Sequence, residues 1–250
     1  MAAVLIAALP GLPAAAQINI ERLRLEGDEQ GLNGSATVAM TFQTGNAEKR
    51  RGDGKVRLDL LLPESHSFLI LSGDFDWTAG SSVSNKGLAH VRHIHQPGAR
   101  VSPEAFGQIN YDKSRSLDLR ALVGAGARVV LTEKDRGRAS LGLAYMFEQE
   151  ELGLPPGSTH PHETSHHRAS SFLALSFEPR PGLALASTSY VQPRLDDFSD
   201  VRVLSQSQLA VQLLGPLSMD VTLNLAYDAD PPGETESLDV ALRTGIGIRF

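Results

Sequence analysis

Of the eight histidines in the chain, four cluster at His160, His162, His166 and His167, and two more, His93 and His95, stand two residues apart. Neutral imidazoles at such spacings can hold Zn²⁺ or Cu²⁺. No carboxylate stands at a fixed spacing to complete a ligand set, cysteine is absent, and the four-histidine stretch is polar and bounded by Pro155, Pro156 and Ser165. It reads as a solvated loop, and neither a metal nor a cofactor is assigned to it. Ser82 or Ser84 with His90 could supply a nucleophile and its base, as on the outer rim of barrel lipases and acyl-transferring enzymes. No nucleophile motif surrounds these residues, so no catalytic residue is assigned.

A larger set carries charge. Arg57, Asp59, Glu104, Arg120, Arg128, Glu148, Arg168, Arg202, Asp220, Asp228, Asp239, Arg243 and Arg249 fall at alternate positions, most of them between apolar neighbours. On strands, that spacing puts them on one face, opposite the apolar residues. If that face lines a lumen, the charges are either rings that select solutes in a narrow channel or internal struts of a filled one. Both signs are mixed throughout, which favours struts. Phe106, Phe172 and Leu204 share the inward register and support partial filling.

The elements that position them are strands. From residue 34 onward the dominant period is two, with no stretch at the spacing of an amphipathic helix. Residues 34–43 set Ala36, Val38, Met40 and Phe42 on one face, and residues 68–77 set Leu69, Leu71, Phe75 and Trp77 against Ser72, Asp74 and Asp76. Residues 117–131 place Leu117, Leu119, Ala121, Val123, Ala125, Ala127, Val129 and Leu131 opposite Arg120, Gly124, Gly126 and Arg128. Further strands are expected at 53–62, 104–111, 138–148, 167–177, 183–191, 201–213, 217–227 and 238–250. The poorest is 85–95, where neither face is cleanly apolar. That makes about twelve strands, an even number as in bacterial barrels. Connections at 44–52, 149–166, 192–200 and 228–237 are long, whereas those at 63–67, 178–182 and 215–216 are short, the rim asymmetry of an outer-membrane barrel.

Composition narrows the class further. A formal net charge of -6, with arginines spread along the chain, leaves no footprint for nucleic acid. No stretch reaches the roughly 18 apolar residues of a membrane helix. Residues 1–16 are apolar and end in small residues before Gln17, as in a secretory signal peptide, although a basic n-region is missing. Residues 17–33 are then an N-terminal periplasmic segment and residues 34–250 the barrel.

Alternation alone does not separate a membrane barrel, apolar outside, from a soluble one, apolar inside. Export, strands long enough to cross a tilted path through a bilayer, and glycines on the charged face (Gly124, Gly126, Gly245, Gly247) favour the membrane form, because a crowded lumen uses glycine where a soluble surface does not. The last strand ends on Phe250, placing a ring at the membrane interface and offering a C-terminal strand to the outer-membrane assembly machinery. This strand must pair with both 217–227 and the first strand to close the barrel.

Certain segments carry a family resemblance. Residues 34–46 ending Thr44-Gly45-Asn46, the run Leu119-Arg120-Ala121-Leu122-Val123-Gly124-Ala125-Gly126, residues 145–150 with Phe-Glu-Gln-Glu, and Tyr227-Asp228-Ala229-Asp230-Pro231-Pro232 together resemble the DUF481 family of salt-induced outer-membrane proteins. The resemblance implies a barrel in a bacterial outer membrane and supplies no catalytic residues. The reading is an all-β, antiparallel up-and-down transmembrane β-barrel, not an enzyme, of structural or narrow-channel type and linked to salt or envelope stress. Its alternatives are a lipid-modifying enzyme built on a barrel and a soluble periplasmic barrel that binds a ligand.

Overall fold

Alternating patterns form strands because each buries one face and presents the other. The computed structural model describes residues 30–248, apart from 45–48, 79–80, 96–99, 135, 216 and 233–234. Its strands are β1 (Gly31–Gln43), β2 (Lys49–Leu62), β3 (Ser65–Thr78), β4 (Ser81–His95), β5 (Val101–Asp112), β6 (Leu117–Lys134), β7 (Gly137–Leu152), β8 (Glu163–Arg180), β9 (Leu183–Pro193), β10 (Val201–Leu214), β11 (Leu217–Asp228) and β12 (Leu238–Ile248). A 3-10 turn at Lys113–Arg115 is capped by Asp112, whose side chain accepts from the Ser114 N–H. Among the described residues no helix is long and apolar enough to cross a membrane. The expected signal segment, and all of the expected periplasmic segment before residue 30, lie outside the described residues. The ladder begins at Gly31, so residues 31–33 belong to β1.

All twelve strands form one sheet in which each pairs antiparallel with its sequence neighbour, in the order β1 to β12. The sheet is rolled. Arg202 of β10 reaches Glu148 and Glu150 of β7, three strands away, and Arg115, beside the start of β6, pairs with Asp239 of β12. The last strand pairs with β11 from Tyr227↔Leu238 to Leu217↔Ile248, as its pattern requires. No ladder joins it to β1 among the described residues.

The rim that carries 113–116, 153–162, 194–200 and 229–237, called upper below, has the longer connections. The lower rim carries 63–64 and 181–182, with 96–100 as its longer exception.

The convex face is apolar: Val91, Ile109, Val123, Leu143, Phe177 and Leu242 are all more than half exposed. The concave face buries charge and aromatic rings. Residue 117 departs from its expected face. Two-against-one irregularities at Leu117/Leu119 and Val130/Thr132 of β6 shift the register, as bulges do. Leu117 is thereby turned inward and is 5% exposed, packed with Leu152 and Leu154.

Crowding inside explains two of the glycines. A Cβ at Gly142 would overlap the Phe172 ring, and one at Gly124 would overlap Phe106 and the Tyr145 carbonyl. Gly142→Val is therefore expected to lower stability by roughly 1–3 kcal/mol, the usual cost of overpacking. Urea titration of the refolded protein, compared with the milder Gly142→Ala, measures it.

Candidate functional site

The concave face gathers most of the charged residues singled out above. Arg57, Asp59, Glu104, Arg120, Arg128, Glu148, Arg168 and Arg202 are all buried there. Asp220, Asp239 and Arg243 stand on strand positions of the same face and are only partly covered, while Arg249 lies outside the described residues. Buried charges persist only when paired and hydrogen-bonded, and the pairing here falls into two clusters.

The upper cluster spans β6 to β11. Arg168 donates from Nε to Glu148 Oε1 at 2.6 Å, from Nη2 to the Asp200 carboxylate at 3.1 Å, and from Nη1 to the carbonyls of Gln192 and Asp200 at 3.1 and 3.3 Å. Arg202 donates from Nη1 to Glu148 and Glu150, both at 2.8 Å, and from Nε to Asp228 at 3.0 Å. Arg120 Nε donates to Glu150, and Arg194 Nη1 donates to Asp200 at 3.0 Å. Four guanidinium groups are thus set against four carboxylates. A cavity of about 50 Å³ lies below this rim, lined in part by Asp112, Arg115, Arg120, Leu152, Arg202 and Asp228. That is room for a few waters.

The second cluster is a stack on β2 to β5. Arg57 donates to Asp59 at 2.5 Å, and His66 Nε2 shares the same carboxylate at 2.7 Å. The Arg57 guanidinium lies 4.7 Å over the Phe68 ring. His90 is stacked between Phe68 and Phe106, with centroids at 6.0 and 6.3 Å. Arg92 lies 4.8 Å over Phe106 and donates to both Glu104 oxygens at 3.0 and 3.1 Å. On the opposite wall Phe172 and Tyr190 pack with Leu204, and Arg128 donates to Ser140 at 2.9 Å. Cation–π contacts in a dry interior reach about 2 kcal/mol, so these rings act as partners for the arginines as well as filler.

The filling is uneven. Ser35, Thr37 and Thr41 face inward on β1 and are exposed, and Thr222 of β11 is buried while Asn224 and Asp220 are partly covered. The open side of the concave face is therefore the one bounded by β1, β11 and β12.

Electrostatics in the loops follow hydrogen bonding. The Ser199 hydroxyl and N–H, donating at 2.6 and 3.0 Å, hold the Asp197 carboxyl below its ordinary range.

The histidine set does not converge. His166 and His167 lie on opposite faces of β8, His167 outward with Nδ1 at 2.5 Å from the Tyr145 hydroxyl, and His162 engages the Leu152 carbonyl. No group of three or more metal-capable side chains occurs among the described residues. The Ser84 and His90 pair is not formed either. The Ser84 hydroxyl donates to Asp74 at 2.6 Å, His90 is 1% exposed against Gln108, and six residues of strand separate them by roughly 20 Å. The side chain of Ser82 lies outside the described residues. A serine and a histidine do meet elsewhere: Ser67 Oγ and His93 Nδ1 are 2.8 Å apart on the convex face, with no carboxylate bonded to the ring among the described residues.

Several interior residues escape the sequence reading: Arg92, His90, Glu150, Arg194 and Asp200. Extending the period-two register would have found one of them. Glu150 follows Glu148 by two on a strand that runs on to Leu152, whereas His90 and Arg92 stand on β4, whose faces the pattern does not separate. Arg194 and Asp200 sit at a loop and carry no such signal.

An antiparallel up-and-down sheet of twelve strands, rolled so that charge is inside and apolar surface outside, defines the β-barrel class of fold. Within it, the family model described as a protein of unknown function, DUF481, matches residues 36–250, and the chain belongs to that family. Among curated proteins no sequence matches.

Proposed function

We propose that this chain is an integral outer-membrane β-barrel of structural type, non-enzymatic, whose filled lumen leaves at most a narrow channel. The observation that carries this reading is the inverted polarity of the sheet: Arg168 and Glu148 are each 1% exposed inside, whereas Leu143 is 59% exposed outside. In water that outer surface would be an aggregation liability. In a bilayer it is the lipid-facing band.

Aromatics support the same placement. Phe42, Trp77, Tyr111 and Tyr227 each stand one residue from the upper end of β1, β3, β5 and β11, at the height where an interfacial girdle belongs. Arg50, outward at that rim, lies 5.0 Å over the Trp77 ring. The exposed backbone edges of β1 and β12 are intolerable in hydrocarbon, so in the membrane we take them to pair and close the barrel. On this reading the long connections face outward and the short turns face the periplasm, the last strand is the element offered to the assembly machinery, and a role under salt or envelope stress is the physiological setting.

Ion pairs and rings plug the wall from β2 to β10, so any path for solutes runs along β1, β11 and β12. Planar-bilayer recordings of the refolded protein should show no steps, or only small ones, at high salt. Double replacement Phe172→Ala/Tyr190→Ala should increase conductance. Large steps from the unmodified protein would contradict the filled lumen, and a protein that stays monomeric without detergent would contradict the membrane placement.

A further inference from the structure

The convex face of β3 and β4 is apolar or glycine through its middle and polar at its lower end. Outward positions run Ser65, Ser67, Leu69 and Leu71 up β3, and His95, His93, Val91 and Ala89 up β4. The registers Ser65↔His95 and Ser67↔His93 set the four polar side chains as two neighbouring cross-strand pairs. Leu60 and Leu62 of β2 lie beside the serines, Ala105 of β5 lies beside His93, and Leu69 with Val91 closes the island above.

Alternation puts both imidazoles on the same side of β4: Arg92 and Ile94 are buried, whereas His93 and His95 are exposed. Two residues of strand separate their Cα atoms by roughly 6–7 Å, a span from which two imidazoles reach one ion at about 2.0–2.1 Å from each nitrogen. One of the rings is already oriented. His93 Nδ1 lies 2.8 Å from the Ser67 hydroxyl oxygen. With Nδ1–H donating to that oxygen, the ring is held in the tautomer whose Nε2 carries a lone pair. Metal-ligating histidines are set in this way, one ring nitrogen held by a neighbour while the other meets the ion.

Imidazole suits divalent ions of the first transition row, and Cu²⁺ heads their general order of affinity. Ca²⁺ and Mg²⁺ take oxygen ligands instead. We infer that His93 and His95 form a two-histidine site for a divalent transition-metal ion, Cu²⁺ before Zn²⁺, with Ser67 as the positioning residue. No set of three metal-capable side chains occurs among the described residues, so water completes the coordination and the ion is exchangeable. On the membrane placement proposed above the site lies at the periplasmic rim. Binding itself does not depend on that placement.

Titration of the full-length protein, refolded in detergent, with Cu²⁺ provides the test, read by calorimetry and electron paramagnetic resonance. The expected result is one tight equivalent with two equatorial nitrogens. It should be lost in His93→Gln and in His95→Gln, and kept in His160→Gln/His162→Gln. Ser67→Ala should weaken it roughly tenfold, as loss of a group that orients a ligand does, and Ser67→Thr, which keeps the hydroxyl, should restore it. Far-UV circular dichroism of each variant reports independently that the sheet has formed. Retention of the tight equivalent in either His93→Gln or His95→Gln, or its loss in the loop variant, overturns the site. Unchanged affinity in Ser67→Ala overturns the positioning role.

Discussion

Glu148→Leu is expected to lower the unfolding free energy by roughly 3–5 kcal/mol, the cost of removing one partner from a buried ion pair. Glu148 accepts from both Arg168 and Arg202, so its loss leaves two guanidinium groups short of an acceptor in an interior where each is nearly or wholly covered. Arg202 keeps Glu150 and Asp228, and Arg168 keeps Asp200, but Arg168 Nε loses its acceptor. Replacing both members, Glu148→Leu with Arg168→Met, should recover much of the loss, because a buried pair exchanged for apolar side chains of similar volume is often neutral. Urea titration of the heat-modifiable form, with the double-mutant cycle, measures the coupling. A single variant as stable as the parent would mean that water reaches the network freely and the lumen is not filled.

The second large effect lies on the other face. Leu143 stands near the middle of β7 with its side chain outward, and Leu143→Arg should cost roughly 2–4 kcal/mol in vesicles, the penalty for arginine at the midplane of a membrane barrel. In a soluble barrel the same change would fall on open surface, where substitutions stay within about 0.5 kcal/mol. Arginine at Tyr227, at the upper end of β11, should cost much less than at Leu143, since the penalty falls toward the interface. Refolding yields and unfolding midpoints in vesicles, measured for both variants, decide between the two environments.

How far each feature was legible follows from what a linear pattern can encode. Strand number and outward face could be read because alternation in runs such as Leu117 to Leu131 is local, and β6 departs from it only where bulges add a residue. The inward face of β4 could not, because His90 and Arg92 are buried polar groups beside the apolar Leu88 and Ile94. Polar residues inside the barrel erase the contrast on which pattern reading depends. Charges of the concave face were identifiable by position, but not their partners: the Arg202 to Glu150 contact needs the strand register and the roll of the sheet together. Similarly, the pattern of the last strand specified its pairing with β11, whereas pairing with β1 depends on closure.

The most direct measurement of the central proposal uses the absence of cysteine from the chain, which leaves a clean background for single nitroxide labels at successive positions 139–147 in vesicles. Odd positions, including Ala139, Leu141, Leu143, Tyr145 and Phe147, should be accessible to oxygen dissolved in the bilayer and shielded from a water-soluble relaxant. Even positions, including Ser140, Ala144 and Met146, should be shielded from the bilayer. Odd positions reached freely by the water-soluble reagent, or no alternation at all, would contradict the placement of this sheet in a membrane.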